Sequence, residues 1–145
     1  MPQITSALEL VKYHEGCTLK AIKDTKGKWS IGYGDDGAMP GQTCTQDWAD
    51  AQVAYKVALA EAEAYDDLGT TWGDLDPVRQ AVLTDMAYEL GEHGLGLFTT
   101  FLSQVRAQNW PGAVADLKTT AIYAEVPTRE AMNSTMLLTG QWPVI

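Results

Sequence analysis

The segment 15–34 constrains the fold of this chain more than any other stretch of its sequence. Its side chains alternate over two short runs, and alternation with a period of two residues is typical of β-strands. Between the runs, Asp24 to Gly27 fits a tight turn, because Asp bonds turn amides and Gly accepts a positive φ. We therefore predict a β-hairpin that is too small to fold alone and must pack against helices.

Helices are predicted on both sides of this hairpin. Ser6, with Glu9 three residues later, is typical of a capping box at a helix start, and Gly16 would end that helix. Residues 35–43 are interpreted as a loop or a short third strand. A long helix is predicted to begin at Thr45, because apolar residues recur there at helical spacing. This stripe is expected to face the core. Its members are Trp48, Ala51, Tyr55, Ala58, Ala62 and Tyr65.

The rest of the sequence predicts only further helices. Asp76 is expected to cap a helix that Pro77 begins and Gly91 ends. Gly140 is expected to end the last helix. Shorter helices are predicted over the ranges 94–109, 111–119 and 127–138.

These elements predict an α+β, mostly helical fold in one domain of 145 residues, which is long enough to bury a sizeable core. The domain is expected to have two lobes. A hairpin lobe would span 1–44, a connecting helix 45–66, and an all-helical lobe 67–145.

The predicted hairpin brings three polar side chains together. Glu15 falls at the end of the first helix, Asp24 at the turn and Ser30 on the returning strand, so all three are expected on one wall of a cleft. Two carboxyls across a cleft, one shielded and one wet, are what acid/base hydrolysis of a glycosidic bond requires. A carboxylate pair alone is weak evidence in a chain with 19 acidic residues. The ordered set with Gly27 and 30–34 is much rarer.

This ordered set resembles the catalytic signature of the phage-type lysozymes, a group of glycoside hydrolases that includes phage endolysins. The likeness extends over most of the chain, in the order of the family and near its spacing. Its C-terminal parts are Leu75–Arg79, Met86–Glu92, Gly94, Phe98–Thr99, Trp110, Tyr123, Pro127, Arg129 and Thr139–Trp142.

The resemblance implies a lysozyme-like fold whose lobes face each other across a saccharide cleft. It also implies hydrolysis of the β-1,4 bond between N-acetylmuramic acid and N-acetylglucosamine, with inversion. In this scheme protonated Glu15 donates to the leaving oxygen, Asp24 activates a water, and the Ser30 hydroxyl holds that water. Family positions that line the sugar cleft are matched by Tyr88, Asp116 and Arg129.

Three positions depart from this pattern or have a second interpretation. Ser30 stands where the family more often carries Thr, and the missing methyl group leaves its hydroxyl less fixed. Asp35 follows Gly34 where the family usually has His, so we expect extra negative charge near the site and no ion pair of the kind a His would make. For Tyr88, a place in the core is an equally good interpretation.

No metal and no cofactor is expected. Cys17 and Cys44 are interpreted as free, partly buried structural thiols, since two cysteines do not make a disulfide framework. The sequence has no Cys-x-x-Cys, no paired His spacing and no calcium-loop pattern.

The net charge of −9 is unevenly distributed along the chain. Residues 1–34 contain five lysines and three acidic residues, so this part has a net charge of +2. The lysines could draw an anionic polymer such as peptidoglycan to the hairpin, or they could simply keep the strand edges soluble. The acidic balance of the whole chain argues against nucleic acid as a partner.

The sequence shows no leader pattern in its first residues, and no stretch approaches the roughly 18 apolar residues of a membrane span. We expect a monomer without stable membrane insertion. It would stay in the host cytoplasm until a separate pore-forming protein releases it to the peptidoglycan of the periplasm.

Two alternative functions stay open. One is a peptidoglycan-binding or virion-associated structural module with little turnover, and the other is a chitin-acting enzyme of the wider lysozyme-like fold. The presence of Glu15, Asp24 and a hydroxyl at Ser30 favours an active enzyme, because a binding module needs none of them.

Overall fold

The computed structural model describes residues 3–145, and they confirm the predicted α+β, mostly helical fold. Its elements in chain order are α1 (Ala7–Glu15), β1 (Thr18–Lys23), β2 (Trp29–Gly32), β3 (Asp35–Asp36), α2 (Gln46–Leu68), α3 (Pro77–Leu90), α4 (Thr99–Arg106), α5 (Trp110–Lys118), α6 (Ala121–Glu125) and α7 (Pro127–Thr139). Two short 3₁₀ segments lie before and after α3, at Gly69–Asp74 and Leu95–Leu97. No helix in the described range is long and apolar enough to cross a bilayer.

The predicted hairpin is present, and a third strand extends it. The strands pair antiparallel in the order β1-β2-β3, with Ile22 opposite Ser30 and Ser30 opposite Asp36. At the turn, the N–H of Asp24 donates to the carbonyl of Lys28 at 2.8 Å. Because directly paired residues point to the same side of an antiparallel sheet, Ile22, Ser30 and Asp36 share one face.

The first helix ends where the sequence predicts, and this end determines where Glu15 lies. Gly16 follows as the cap with a φ of 65°, and its N–H donates back into the last turn at 3.0 Å. At the start, the Ser6 hydroxyl accepts from the N–H of Glu9 at 3.1 Å, as predicted. The carboxylate of Glu9, however, accepts from the N–H of Thr5 rather than Ser6, so the reciprocal bond is displaced by one residue.

The aromatic stripe of α2 was predicted to face the core, and this prediction is wrong. Trp48, Tyr55 and Tyr65 are 39%, 63% and 55% exposed. The buried face has the same helical spacing but small residues, which allow α3 to approach closely. Its members are Ala49, Val53, Val57, Ala60, Ala64 and Leu68. Periodicity did not distinguish the two stripes, and side-chain size favoured the wrong one.

The C-terminal helices agree with the prediction in position but not always in extent. Asp76 caps α3 by accepting from the N–H of Arg79 at 3.0 Å, and Gly140 ends α7 in the left-handed conformation. The single helix predicted over 94–109 is instead a 3₁₀ turn followed by α4, which begins at Thr99. The five-residue α6 was not predicted, because it is too short to show a period.

Buried apolar side chains form two clusters, and α1 contributes to both. The larger cluster fills the space among the C-terminal helices and takes in Ile4 and Leu10. Tyr88 of α3 packs against both clusters and so connects them. The members of the smaller cluster, between α1, the sheet and α2, are Val11, Tyr33, Ala49, Val53 and Val57.

Candidate active site

A cleft of about 1050 Å³ opens at the junction of the two clusters. It is lined by the end of α1, the turn between β2 and β3 at Gly34, the second half of α2 and the segment Ala87–His93. Seven of its 17 lining residues are acidic, and Lys56 is the lysine among them. The carboxylates are Glu15, Asp36, Glu63, Asp66, Asp67, Glu89 and Glu92.

Glu15 is the last residue of α1, and its side chain is 20% exposed at the wall of this cleft. Gly34 lies directly against it with a φ of 80°, and a Cβ at Gly34 would lie 2.5 Å from Oε2 of Glu15. Both the backbone conformation and the space therefore require glycine at this position. The second glycine of the Gly32-x-Gly34 motif is explained by this close approach.

Arg129 of α7 joins Glu15 to α3. Its Nη1 donates to Oε1 of Glu15 at 2.8 Å. Its Nη2 and Nε donate to the two oxygens of Asp85 at 2.7 and 3.1 Å, and Nε lies 3.3 Å from Oε2 of Glu89. Burial would lower the pKa of Arg129, but Asp85, Glu89 and Glu15 together raise it above its ordinary value. The guanidinium is therefore a permanent charge, shared among three carboxyls.

Asp85 is fully buried, and a second layer of side chains holds it in place. The amide of Asn133 donates to Oδ2 of Asp85 at 2.8 Å. His14 lies 3.3 Å from the amide oxygen of Asn133. Burial lowers the pKa of His14, although Asp85 opposes this, and so the imidazole stays neutral at neutral pH. Arg129 is thus the cation that balances Asp85.

Asp24 is exposed at the tip of the hairpin, and part of its carboxylate has a structural role. Its Oδ1 accepts from the N–H groups of Lys26 and Lys28 at 2.9 and 2.8 Å, whereas Oδ2 accepts from no group in residues 3–145. Alternation along β1 puts Asp24 on the same face as Ile22 and Ser30. Neither Asp24 nor Ser30 lines the cleft itself, but Asp36, opposite Ser30, does.

The three predicted substrate-binding residues lie in different surroundings. Arg129 and Tyr88 are brought to Glu15, and the hydroxyl of Tyr88 donates to the carbonyl of Tyr33 at 2.9 Å. Burial raises the pKa of Tyr88, so this hydroxyl remains a donor. Asp116 on α5 is not brought to the cleft. It lines a separate depression of about 270 Å³ that shares no residue with it.

Asp35 was expected to add negative charge near the site, and the structure shows that this charge is ion-paired. Asp35 is 6% exposed, and its Oδ1 is ion-paired with Nζ of Lys56 on α2. Lys56 lies 21 residues after Asp35 in sequence, and the helical register of α2 brings it to the carboxylate. No local sequence pattern predicts this pairing.

The oxygens of three carboxyls, those of Asp85, Glu89 and Glu130, lie within 4.8 Å of one another. The distances among these oxygens would allow them to bind one metal ion. The guanidinium of Arg129 already contacts Asp85 and Glu89, however, and its charge would repel a second cation. The expectation of no metal stays a prediction.

This buried polar network around Arg129 was not predicted from the sequence. A signal was available, since Asp85 is the charged residue within the segment from Val82 to Ala87, whose other residues are apolar apart from Thr84. The i, i+4 spacing of Asp85 and Glu89 also puts two acids on one face of α3. Which cation they would meet could not be derived from either pattern.

Comparison with known proteins identifies the family. The sequence model of the family described as "Phage lysozyme" matches residues 12–125. Two proteins of Dictyostelium discoideum, "Probable T4-type lysozyme 1" and "Probable T4-type lysozyme 2", are each 22% identical to this chain over 94% of its length and 96% of theirs. The "Pre-baseplate central spike protein Gp5" of Enterobacteria phage T4 is 23% identical over 93% of this chain and 28% of its own length. The chain therefore belongs to the phage lysozyme family and is a lysozyme, an enzyme that hydrolyses peptidoglycan.

Proposed function

We propose that this lysozyme cleaves the β-1,4 bond between N-acetylmuramic acid and N-acetylglucosamine with inversion at the anomeric carbon. The observation that carries the proposal is the position of Glu15, half-buried against Gly34 at the wall of a large cleft. An acid in this place can reach a bound glycan and is shielded from bulk water on its other side. A general acid must lie within reach of the glycosidic oxygen that it protonates.

Arg129 does not prevent this role for Glu15, although it donates a hydrogen bond to the carboxyl. The guanidinium is bidentate on Asp85 and also contacts Glu89. Its positive charge is therefore largely balanced before Glu15 is counted. We propose that Arg129 orients the Glu15 carboxyl, and that any contact of Arg129 with sugar is minor because its side chain is 11% exposed.

Asp24 is proposed as the base that activates water on the opposite face of the sugar. Its exposed position keeps the carboxylate in contact with water, and its Oδ2 is available for a nucleophilic water. An inverting enzyme needs roughly 6.5–9.5 Å between its two carboxyls to leave room for that water. Ser30 lies on the same sheet face and is proposed to hold the water through its hydroxyl.

Tyr88 and Asp116 are both proposed to contact substrate, Tyr88 inside the cleft and Asp116 outside it. Tyr88 lines the cleft beside Glu15, but its hydroxyl is used by the carbonyl of Tyr33, so only its ring is left to pack against a sugar. Asp116 would contact a glycan only if the polymer extends beyond the cleft to α5. We expect Asp116→Asn to change KM, and not kcat, on polymeric substrate.

The stereochemistry of the first product tests the proposed reaction. Proton NMR during hydrolysis of purified peptidoglycan fragments would follow the anomeric signal of the new reducing end at N-acetylmuramic acid. Inversion of the β-bond gives the α-anomer first, and mutarotation then produces the β-anomer. Appearance of the β-anomer first would mean retention and would overturn Asp24 as the base.

We further propose that the enzyme is a monomeric endolysin, kept in the host cytoplasm until a separate pore-forming protein opens the route to the periplasm. Purified protein should then clear Gram-negative cells whose outer membrane has been permeabilised, and should leave intact cells unlysed. Lysis of untreated cells by the purified protein would contradict the need for a second protein.

A virion-associated role is the second candidate. It is favoured by one observation, the similarity to a relative whose name is that of a phage baseplate spike protein. Purified virions of the source phage, probed with an antibody to this chain, would distinguish the roles. Detection in the virion would favour the second candidate, and detection only in the lysate would favour the endolysin.

A further inference from the structure

Behind the contact between Glu15 and Arg129, two glutamates of neighbouring helices lie close together without a donor. Glu130 on α7 is 0% exposed, and neither of its carboxyl oxygens accepts a hydrogen bond from any described residue. Oε2 of Glu89 on α3 likewise has no hydrogen-bond donor. Buried carboxylates without donors are strongly unfavourable, so the observed arrangement requires a proton on one of the two glutamates.

The charges around the pair lead to the same conclusion. Four carboxyls meet here, and one permanent cation, Arg129, contacts three of them. His14, at the end of α1, is neutral and does not supply a second positive charge. No side chain of α5 or α6, which also pack against α7, forms an ion pair or hydrogen bond with either glutamate. The carboxyls are Glu15, Asp85, Glu89 and Glu130.

We propose that Glu130 is protonated at neutral pH and donates its O–H to Glu89, so that the two carboxyls form an acid pair with one negative charge. This charge helps to hold Arg129 in the position from which it orients Glu15. Glu130 is thus a positioning residue that acts through Glu89 and Arg129. The effect on Glu15 rests on the general-acid role proposed above, whereas the acid pair itself does not.

The contacts of the two glutamates also indicate which of them carries the proton. Oε2 of Glu89 lies 3.3 Å from Nε of Arg129, which stabilises a negative charge on Glu89. Glu130 has no such contact. Burial, together with the charges of Glu89 and Asp85, raises the pKa of Glu130 to about 9. Burial also raises the pKa of Glu89, but Arg129 opposes this.

The protonation state can be measured directly by carbon NMR of the glutamate carboxyl groups as pH is varied. We expect one carboxyl signal of the protonated type to persist through neutral pH in the wild type and in Glu125→Gln, an exposed control. The same signal should be absent in Glu130→Gln. If every glutamate signal has the ionised shift at pH 7, the acid pair does not exist.

The positioning role is tested by the alkaline limb of the pH–activity profile. Glu89→Gln removes the charge of the pair, which leaves more of the Arg129 charge on Glu15 and favours its ionised form. We expect the limb to move to lower pH by about one unit. Glu130→Leu should move it in the same direction, because Glu89 loses its donor. Glu130→Gln should keep the limb near its wild-type position, since an amide N–H can replace the O–H.

Equal shifts in Glu130→Gln and Glu130→Leu would overturn the positioning role, because the donated hydrogen bond would then be irrelevant. If Glu130→Leu fails to fold, Glu89→Gln and Glu130→Gln decide the question by themselves. Full activity of Glu15→Gln would instead refute the general acid. In that case the NMR titration would still establish or reject the acid pair independently.

Discussion

At the scale of single residues, Gly34 controls where the proposed general acid lies. Gly34, in the turn between β2 and β3, can lie against the Glu15 carboxyl because it has no side chain, and its φ of 80° is one that other residues rarely adopt. Conformational strain and steric overlap therefore coincide at the same residue, and a suitable control can separate them.

We expect Gly34→Ala to lose about 1–3 kcal/mol of unfolding free energy from backbone strain. Its activity should fall by roughly 10²-fold, because the added methyl group displaces Glu15 by about 1 Å. Gly37 is the matched control, since its φ is 81° but its Cβ would meet nothing within 4 Å. Gly37→Ala should be destabilised similarly and remain active. Equal activities of the two folded variants would show that Glu15 does not depend on Gly34.

Asp24 combines a structural and a proposed chemical role, and two substitutions can separate them. An Asn side chain keeps an oxygen that accepts from the N–H groups of Lys26 and Lys28, so Asp24→Asn should retain the turn. It should nevertheless lose activity by about 10²–10⁴-fold, because the amide is not a base. Asp24→Ala should lose both activity and thermal stability. An active Asp24→Asn would leave Asp24 as a turn residue only.

At the scale of elements, the ion pair between β3 and α2 fixes the sheet against the long helix. Lys56→Met would leave the buried carboxylate of Asp35 without its partner. We expect a loss of about 1–3 kcal/mol in unfolding free energy, measured by urea denaturation. Adding Asp35→Asn to this variant should recover part of the loss, because the uncompensated charge is then removed.

The control is a second ion pair, which also involves β3 but is exposed to solvent. Lys28 and Asp36 lie 3.2 Å apart, but both side chains are 65% exposed. Lys28→Met should therefore change the unfolding free energy by less than about 1 kcal/mol. A cost as large as that of Lys56→Met would mean that burial of Asp35 is not the cause.

Local patterns in the sequence predicted most of these elements but not how their faces meet. The hairpin, the caps at Ser6 and Asp76, and the helix ends at Gly16 and Gly140 depend on neighbours in sequence, and the structure confirms them. The buried face of α2 depends on which stripe α3 can approach, which periodicity does not determine.

The same distinction applies to the candidate site. Glu15, Asp24 and Ser30 could be proposed because they lie within one local hairpin and match a family signature. The network around Arg129 joins α7 to α3, and its residues Asp85 and Arg129 lie 44 positions apart in sequence. Its partners are chosen by the packing of α3 against α7, so no local pattern could predict them.

At the scale of the whole molecule, the buried proton on Glu130 makes folding depend on pH. An exposed glutamate releases its proton near pH 4.5, whereas burial raises the pKa of Glu130 to about 9 in the folded protein. Between these values folding takes up a proton. The contribution of Glu130 to stability is therefore fully present below about pH 4.5 and is lost as pH rises towards 9.

We expect the unfolding free energy of the wild type, relative to that of Glu130→Gln, to fall by up to about 1.4 kcal/mol per pH unit over this range. Urea denaturation of both proteins at several pH values from 5.5 to about 8.5 would measure the difference. The exposed variant Glu125→Gln should follow the wild type. Parallel curves for the wild type and Glu130→Gln would contradict a buried proton on Glu130.

The most direct test of the proposed mechanism is the rate of peptidoglycan hydrolysis by Glu15→Gln at matched folded concentration. Glu61→Gln, an exposed substitution on α2 outside the cleft, is the control and should act like the wild type. Glu15→Gln keeps the size of the side chain but has no proton to donate to the leaving oxygen. Its rate should fall by about 10²–10⁴-fold or more, with an unchanged circular dichroism spectrum. A folded Glu15→Gln that hydrolyses peptidoglycan at close to the wild-type rate would contradict the assignment of Glu15 as the general acid.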